Sequence, residues 1–155
     1  MRTNAGPDTE LLVEIRRRRA ALRSSMDRLE RVLASPYRAE GTTGWTARLR
    51  TALTTVSEAF GEHIAITEGP GGLYRELAEQ SPRLGHAADR LAKEHAEITR
   101  RLEELLTSTA LPEATPDVPH VRRTGTDLLV VLMRHRQRGA DLVFEAYDLD
   151  IGGET

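Results

Sequence analysis

The sequence predicts an all-α protein: an antiparallel up-down four-helix bundle with a short extra helix between its second and third long helices. Apolar residues recur every three or four positions through four long segments, which is the spacing of one face of an α-helix. Stretches rich in glycine or proline separate these segments, and none of them alternates apolar and polar residues for long, as a strand does. Because most links are short, neighbouring helices are expected to run antiparallel.

The first long helix is expected to begin at Asp8 or Thr9, either of which can cap it, and to end before Pro36. A glycine-containing loop over residues 41–44 is expected to follow. The apolar face of this helix comprises Leu11, Ile15, Leu22, Leu29, Val32 and Leu33.

The second long helix is expected from about Thr46 to the Gly-Pro-Gly-Gly segment at 69–72. A short helix from Leu73 to Glu79 should follow that segment. The face of the second helix is apolar except near its end, and comprises Leu49, Leu53, Val56, Phe60, His63 and Thr67.

A serine followed by proline, Ser81-Pro82, predicts the start of the third long helix, because serine caps helices and proline suits the first helical position. Its face comprises Leu84, Ala88, Leu91, His95, Ile98, Leu102 and Leu105. The longest loop, 111–119, contains three prolines, and the fourth helix is expected from about His120 to Tyr147. Its face comprises Leu128, Leu132, His135, Gly139, Leu142 and Ala146.

With 155 residues, the chain is expected to form one domain, 1–155, with a hydrophobic core. Its 22 basic and 24 acidic residues leave a net charge of -2, which favours neither nucleic acid nor an anionic membrane as a partner. The absence of cysteine excludes disulfides, thiolate zinc sites and a cysteine nucleophile. We find no signal-peptide pattern and no run of the roughly 18 apolar residues that a membrane helix needs. A cytoplasmic protein is expected.

Three histidines, His63, His95 and His135, each fall on the apolar face of a different long helix. An imidazole buried without a partner costs free energy, and facing helices of a bundle build metal sites from such side chains. Zinc, iron and copper all accept imidazole nitrogen, and three histidines leave a coordination position open. Glu68, five residues after His63, is the best candidate for a fourth, acidic ligand.

Each of these histidines also has a simpler explanation, as a core residue hydrogen-bonded to a carboxylate or to the backbone. The remaining two, His86 and His120, are expected at the surface, since His86 lies off the apolar face and His120 lies beside a loop. Gly139 weakens the fourth helix, which indicates the close approach of another helix or of a ligand.

Four consecutive arginines at 16–19 are interpreted as a solvated surface, because consecutive residues point to all sides of a helix and cannot form one nucleic-acid patch. For the same reason, one of Arg18 or Arg19 must face inward. There it could pair with a buried acid such as Glu14 or Glu68.

The segments around the three histidines resemble the hemerythrin-like (HHE cation-binding) family. Glu68 lies five positions after His63 and precedes Gly-Pro-Gly-Gly-Leu-Tyr. The other two segments read Lys-Glu-His95-Ala-Glu-Ile and Leu-Met-Arg-His135-Arg-Gln-Arg-Gly. The resemblance covers about residues 8–150, and the C-terminal segment is similar to actinobacterial members. It implies a four-helix bundle that holds non-heme iron between its helices and binds or senses oxygen, nitric oxide or peroxide, or handles iron.

Several di-iron ligands of that family are missing from this chain. The first helix has no histidine, the third has only one at the matching face, and Thr67, Gly139 and Ala140 stand where the family places carboxylates. One hypothesis is therefore a protein that binds iron (mono- or dinuclear) or zinc, together with a small diatomic ligand. The alternative is a metal-free degenerate bundle that acts as a protein-interaction or dimerisation module, with a homodimer as one form. A metal-dependent redox enzyme is a third hypothesis, although turnover of an organic substrate is not expected.

Overall fold

The computed structural model describes residues 9–37, 41–110 and 117–148. Within these ranges the chain forms five helices and no strand: α1 (Thr9–Ala34), α2 (Gly41–Glu68), α3 (Leu73–Gln80), α4 (Pro82–Ser108) and α5 (Val118–Tyr147). The predicted all-α class and the short helix between the second and third long helices are confirmed. Asp8, one of the two expected caps of α1, lies outside the described residues. None of these helices is both long and apolar enough to cross a membrane.

The caps of α4 and α5 show how the sequence sets the start of each helix. The Ser81 hydroxyl accepts a hydrogen bond from the backbone N–H of Leu84 at 3.2 Å, with proline at the next position, as predicted. Asp117 caps α5 in the same way, accepting from the backbone N–H of His120 at 3.2 Å. The fourth long helix therefore begins at Val118, slightly earlier than the proline-rich sequence predicts.

The prediction of a loop over 41–44 is wrong, because α2 already begins at Gly41. The reason is the anchoring of its first turns on α1. The fully buried Trp45 donates from its indole nitrogen to the carbonyl of Val32 at 3.1 Å. One turn apart, the Thr46 hydroxyl donates to the carbonyl of Thr42 at 2.6 Å. Burial of a tryptophan outweighs the roughly 1 kcal/mol that a helical glycine costs.

The four long helices enclose a common interior, since α1 packs against α2 and α5, and α4 packs against α2, α3 and α5. Buried apolar side chains form two clusters in this interior. On α4, His95 lies between Ile98 of the first cluster and Leu91 of the second. On α5, His135 likewise lies between Leu132 of the first cluster and Ala140 of the second. The histidines thus form a polar layer between two apolar clusters, and this layer is the candidate site.

Candidate metal centre

The structure brings the three apolar-face histidines together. His135 Nε2 lies 3.1 Å from His63 Nε2 and 3.0 Å from His95 Nε2. The three rings are almost wholly buried, with exposed fractions of 7%, 2% and 1% for His63, His95 and His135. Among the described residues, these three offer ligand atoms that all lie within 4.8 Å of one another. The links between the helices differ in length, yet they bring the three histidines to the same height along the bundle.

Two of the rings are held from outside by carboxylates. His95 Nδ1 lies 2.8 Å from Glu68 Oε2, and His135 Nδ1 lies 3.0 Å from Glu94 Oε1. The guanidinium of Arg138 donates to the same Glu94 oxygen at 3.0 Å. Because a charged carboxylate only accepts hydrogen bonds, the Nδ1 atoms of His95 and His135 must carry the ring protons. In the neutral rings their Nε2 atoms then carry no proton, and the lone pairs of these atoms point into the cluster.

The contact between His95 Nε2 and His135 Nε2 consequently brings two acceptors to 3.0 Å with no hydrogen between them. Such a contact is stabilised when a cation is shared by the two lone pairs, and that cation is either a proton or a metal ion. Imidazole nitrogen coordinates zinc at about 2.0–2.1 Å, so nitrogens this close can reach the same ion. The donor set therefore fits a metal ion.

A proton is the poorer candidate, because burial lowers the pKa of all three rings. For His63, burial is the main cause and the neighbouring His135 and His95 act in the same direction. Burial also lowers the pKa of His95, although its hydrogen bond to Glu68 opposes this. The pKa of His135 falls to about 4, again through burial and against the hydrogen bond to Glu94. At neutral pH the lone pairs are therefore available to a metal ion.

Two aromatic side chains enclose the cluster. The buried ring of Phe60 stacks on His63 with centroids 5.6 Å apart and presents edge contacts to His95 and His135 at 5.5 and 5.9 Å. The Tyr74 ring stacks on His95 at 5.6 Å, and its hydroxyl lies 3.3 Å from His95 Nε2. Burial raises the pKa of Tyr74, so its hydroxyl stays protonated and can donate to that lone pair. This shell shields the cluster from water.

Glu68 does not lie where the sequence predicts a fourth ligand. The prediction rests on its distance from His63 along one helix, whereas its carboxylate contacts the outer nitrogen of His95 on another helix. It orients a ring instead of joining the Nε2 cluster. His86 and His120 are exposed, as expected.

The structure shows where two of the four consecutive arginines, Arg18 and Arg19, lie. Arg19 faces inward with an exposed fraction of 6%, and its guanidinium donates to the carbonyl of Arg136 at 3.2 Å. Arg18 pairs with Glu14 at 2.7 Å and with Glu62 at 2.5 Å. The first helix thus brings an arginine, and no histidine, towards the site.

Sequence reasoning missed Glu94, Phe60 and Tyr74 as members of this site. Two of them carry a signal: Phe60 precedes His63 by three residues, which places both on one helical face, and Glu94 directly precedes His95. Tyr74 reaches the cluster from a separate short helix, and no sequence spacing indicates that contact.

Comparisons with protein-family models, with curated proteins and with solved structures found no match to this chain.

Proposed function

We propose that this chain is a hemerythrin-like metal-binding protein, an antiparallel bundle that holds iron, or alternatively zinc, through His63, His95 and His135. The observation that carries the proposal is the 3.0 Å contact between two Nε2 lone pairs, each on a ring whose other nitrogen donates to a carboxylate. A carboxylate behind a histidine fixes the tautomer and the direction of a ligand in metal proteins.

Glu68 and Glu94 are then supporting residues that hold His95 and His135 from outside. Among the described residues, the group that could hold a metal ion consists of the three histidines. Three nitrogens without a bridging carboxylate suit one ion better than two, so we propose a mononuclear site. A bound ion would supply a Lewis-acidic centre with open positions for a small ligand such as oxygen, nitric oxide or peroxide.

The cavity that His63 lines favours a small ligand over an organic substrate. The cavity next to His63 measures about 20 Å³. A water molecule needs about 10–15 Å³, so the cavity admits a ligand of one or two heavy atoms. Substrate pockets are commonly of about 300–1,000 Å³. We therefore propose binding or sensing of a small ligand in the cytoplasm.

The test is the metal content of the full chain, expressed without a histidine tag in iron-supplemented medium and measured by plasma mass spectrometry. We expect about one ion per chain for the wild type and for the control His86→Ala, whose ring is exposed. His135→Ala, which removes the ring that contacts both others, should lose the ion while circular dichroism remains helical. A folded wild-type chain that takes up neither iron nor zinc would overturn the proposal.

One observation favours the alternative of a protein-interaction or dimerisation module. Three large apolar side chains on α5 are exposed: Val130 at 39%, Met133 at 60% and Phe144 at 54%. Met133 and Phe144 are eleven residues apart, which is close to three helical turns and places them on one side of α5. Sedimentation of Met133→Glu beside the wild type tests this alternative, since a dimer built on this face would dissociate in the variant.

A further inference from the structure

The histidine layer lies inside the bundle, so a metal ion can enter it only when part of the protein moves aside. The three rings have exposed fractions of 7% or less. A folded protein opens most easily where few apolar side chains are buried, because less packing is lost there. Next to the histidines, the short helix α3 is the element that meets this condition.

Only a small part of α3 is packed into the core. Of its eight residues, Leu73 and Leu77 are buried, whereas each long helix buries eight or more. Both leucines belong to the second apolar cluster, so α3 can move without opening the first cluster. A helix of this length is not stable by itself in water, since isolated helices need about 12–15 residues. Packing against α2 and α4 therefore keeps α3 in place.

The first turn of α3 covers the histidine layer. The Tyr74 ring stacks on His95 with centroids 5.6 Å apart, and its hydroxyl lies 3.3 Å from His95 Nε2. Leu73 and Tyr74 also form part of the wall of the small cavity that His63 lines. Movement of this turn away from α4 would therefore uncover Nε2 of His95.

Both ends of α3 are attached through short links. The Gly-Pro-Gly-Gly segment at 69–72 joins it to α2, and Gly71 has a φ of +72°, which glycine adopts without steric cost. At the other end, Ser81 is at once the C-cap of α3 and the N-cap of α4. Residues at the ends of elements absorb the backbone rotation when an element swings. The two links can therefore serve as hinges for α3.

Two contacts away from the histidines hold α3 closed. The Tyr147 hydroxyl on α5 donates to Glu76 Oε2 on α3 at 3.4 Å. Ala78 of α3 packs on Gly85 of α4, where a Cβ atom at position 85 would lie 3.2 Å from Ala78 Cα and 3.3 Å from Ala78 Cβ. Glycine at position 85 thus lets α3 lie close against α4. A methyl group there would push the two helices apart by a few tenths of an ångström.

We infer that α3 is the gate through which the metal ion enters and leaves the histidine layer. It swings about the links at 69–72 and at Ser81, and the bond between Tyr147 and Glu76 keeps it closed. The gate rests on the proposed function, since the ion that passes it is the one held by the three histidines. Those ligands lie on α2, α4 and α5, so a change at Tyr147 or Gly85 should alter the rates of uptake and release by the same factor and leave the affinity unchanged.

The test is the rate at which cobalt(II)-loaded full-length protein loses its ion to excess EDTA, followed by the visible absorption of cobalt(II). Tyr147→Phe, which removes the hydroxyl that contacts Glu76, should release the ion about two- to tenfold faster, as expected for loss of one hydrogen bond. Gly85→Ala should also release it faster, because the added methyl group loosens α3. The control Gly61→Ala, at an exposed helical glycine with open space around it, should release cobalt at the wild-type rate.

An engineered disulfide between α3 and α4 supplies the opposite perturbation, because the chain has no cysteine of its own. The Cβ atoms of a disulfide are about 3.5–4.5 Å apart, and positions 78 and 85 come within a few tenths of an ångström of this range. The oxidised Ala78→Cys/Gly85→Cys protein should release cobalt about tenfold more slowly or slower still, because α3 can no longer leave α4. Reduction of the disulfide should restore fast release.

An oxidised variant that loses cobalt as fast as the wild type would overturn the gate and leave the metal site standing. If the disulfide does not form, wild-type release rates in both Tyr147→Phe and Gly85→Ala would be the overturning result. A wild-type chain that takes up no cobalt, iron or zinc would overturn both the gate and the metal site.

Discussion

Replacement of Glu94 by glutamine separates a metal-binding site from an ordinary buried histidine cluster. Glu94 Oε1 accepts from His135 Nδ1 at 3.0 Å and from Arg138 at 3.0 Å. Glutamine has nearly the same shape, but its amide can also donate a hydrogen bond. In Glu94→Gln, His135 is free to take the opposite tautomer, with its proton on Nε2 and directed at the lone pair of His95 Nε2.

The two states of the protein should therefore respond differently. In the metal-free form, Glu94→Gln loses the charged hydrogen bond from His135 (about 1.5–3 kcal/mol) and the exposed one from Arg138 (up to about 1 kcal/mol). Two neutral hydrogen bonds offset most of this loss, from the amide to Nδ1 and from His135 to His95 (about 0.5–1.5 kcal/mol each). We expect its free energy of unfolding to fall by about 1 kcal/mol. In the metal-bound form, the new tautomer must be reversed before Nε2 can bind the ion. Loss of such an outer partner weakens metal binding by about 10–100-fold, or about 1.4–2.7 kcal/mol.

The assay is a zinc titration by calorimetry together with urea denaturation, with and without excess zinc. The matched control is Glu97→Gln on the same helix, whose carboxylate pairs with Arg100 and Arg101. This control should keep the wild-type zinc affinity. Equal destabilisation of the metal-free and zinc-saturated forms of Glu94→Gln, with unchanged zinc affinity, would refute the reasoning.

Three further predictions follow from individual contacts. The metal-free protein should lose up to about 3 kcal/mol of unfolding free energy as pH falls from about 6.5 towards 4. The reason is that the pKa of His135 is lowered to about 4 in the folded protein, so the unfolded chain binds the proton first. Urea midpoints that do not change over this pH range would contradict the prediction. Phe60→Ala should lower the free energy of unfolding by about 3–5 kcal/mol, since a buried ring in contact with all three histidines is removed. A loss below about 1 kcal/mol in chemical denaturation would contradict this, because it would show that neighbouring side chains fill the cavity. Ser81→Ala should cost about 1 kcal/mol through loss of the cap on α4, and a wild-type thermal midpoint would refute that role.

Most of the fold could be predicted from the sequence because helical periodicity and burial agree along most of the described helices. Every residue of the predicted α4 face, including His95, is buried, and the Ser81 cap lies where the serine-proline pair predicts. Shared burial of the three histidines follows from the same periodicity. By contrast, the start of α2 depends on Trp45 packing against α1, a tertiary contact that the glycines at 41–44 conceal.

The details of the site could not be predicted, because they depend on side chains that reach across helices. Spacing along α2 places Glu68 one turn beyond His63 but cannot show that its carboxylate turns to His95. The contact of Tyr74 with His95 likewise joins two separate helices. The sequence alone also cannot show which of the four consecutive arginines faces inward, because all four have the same side chain and differ only in where they point around the helix axis. In the structure Arg19 faces inward, where it packs against α5.

Metal binding by the three buried histidines can be observed directly in the NMR spectrum of the histidine ring nitrogens, recorded on the ¹⁵N-labelled chain before and after addition of zinc. We predict that the Nε2 signals of His63, His95 and His135 shift on zinc binding, while Nδ1 of His95 and His135 stays protonated in both spectra. The rings of His86 and His120 should be unaffected. Nε2 signals of the three buried rings that do not change at saturating zinc would contradict it.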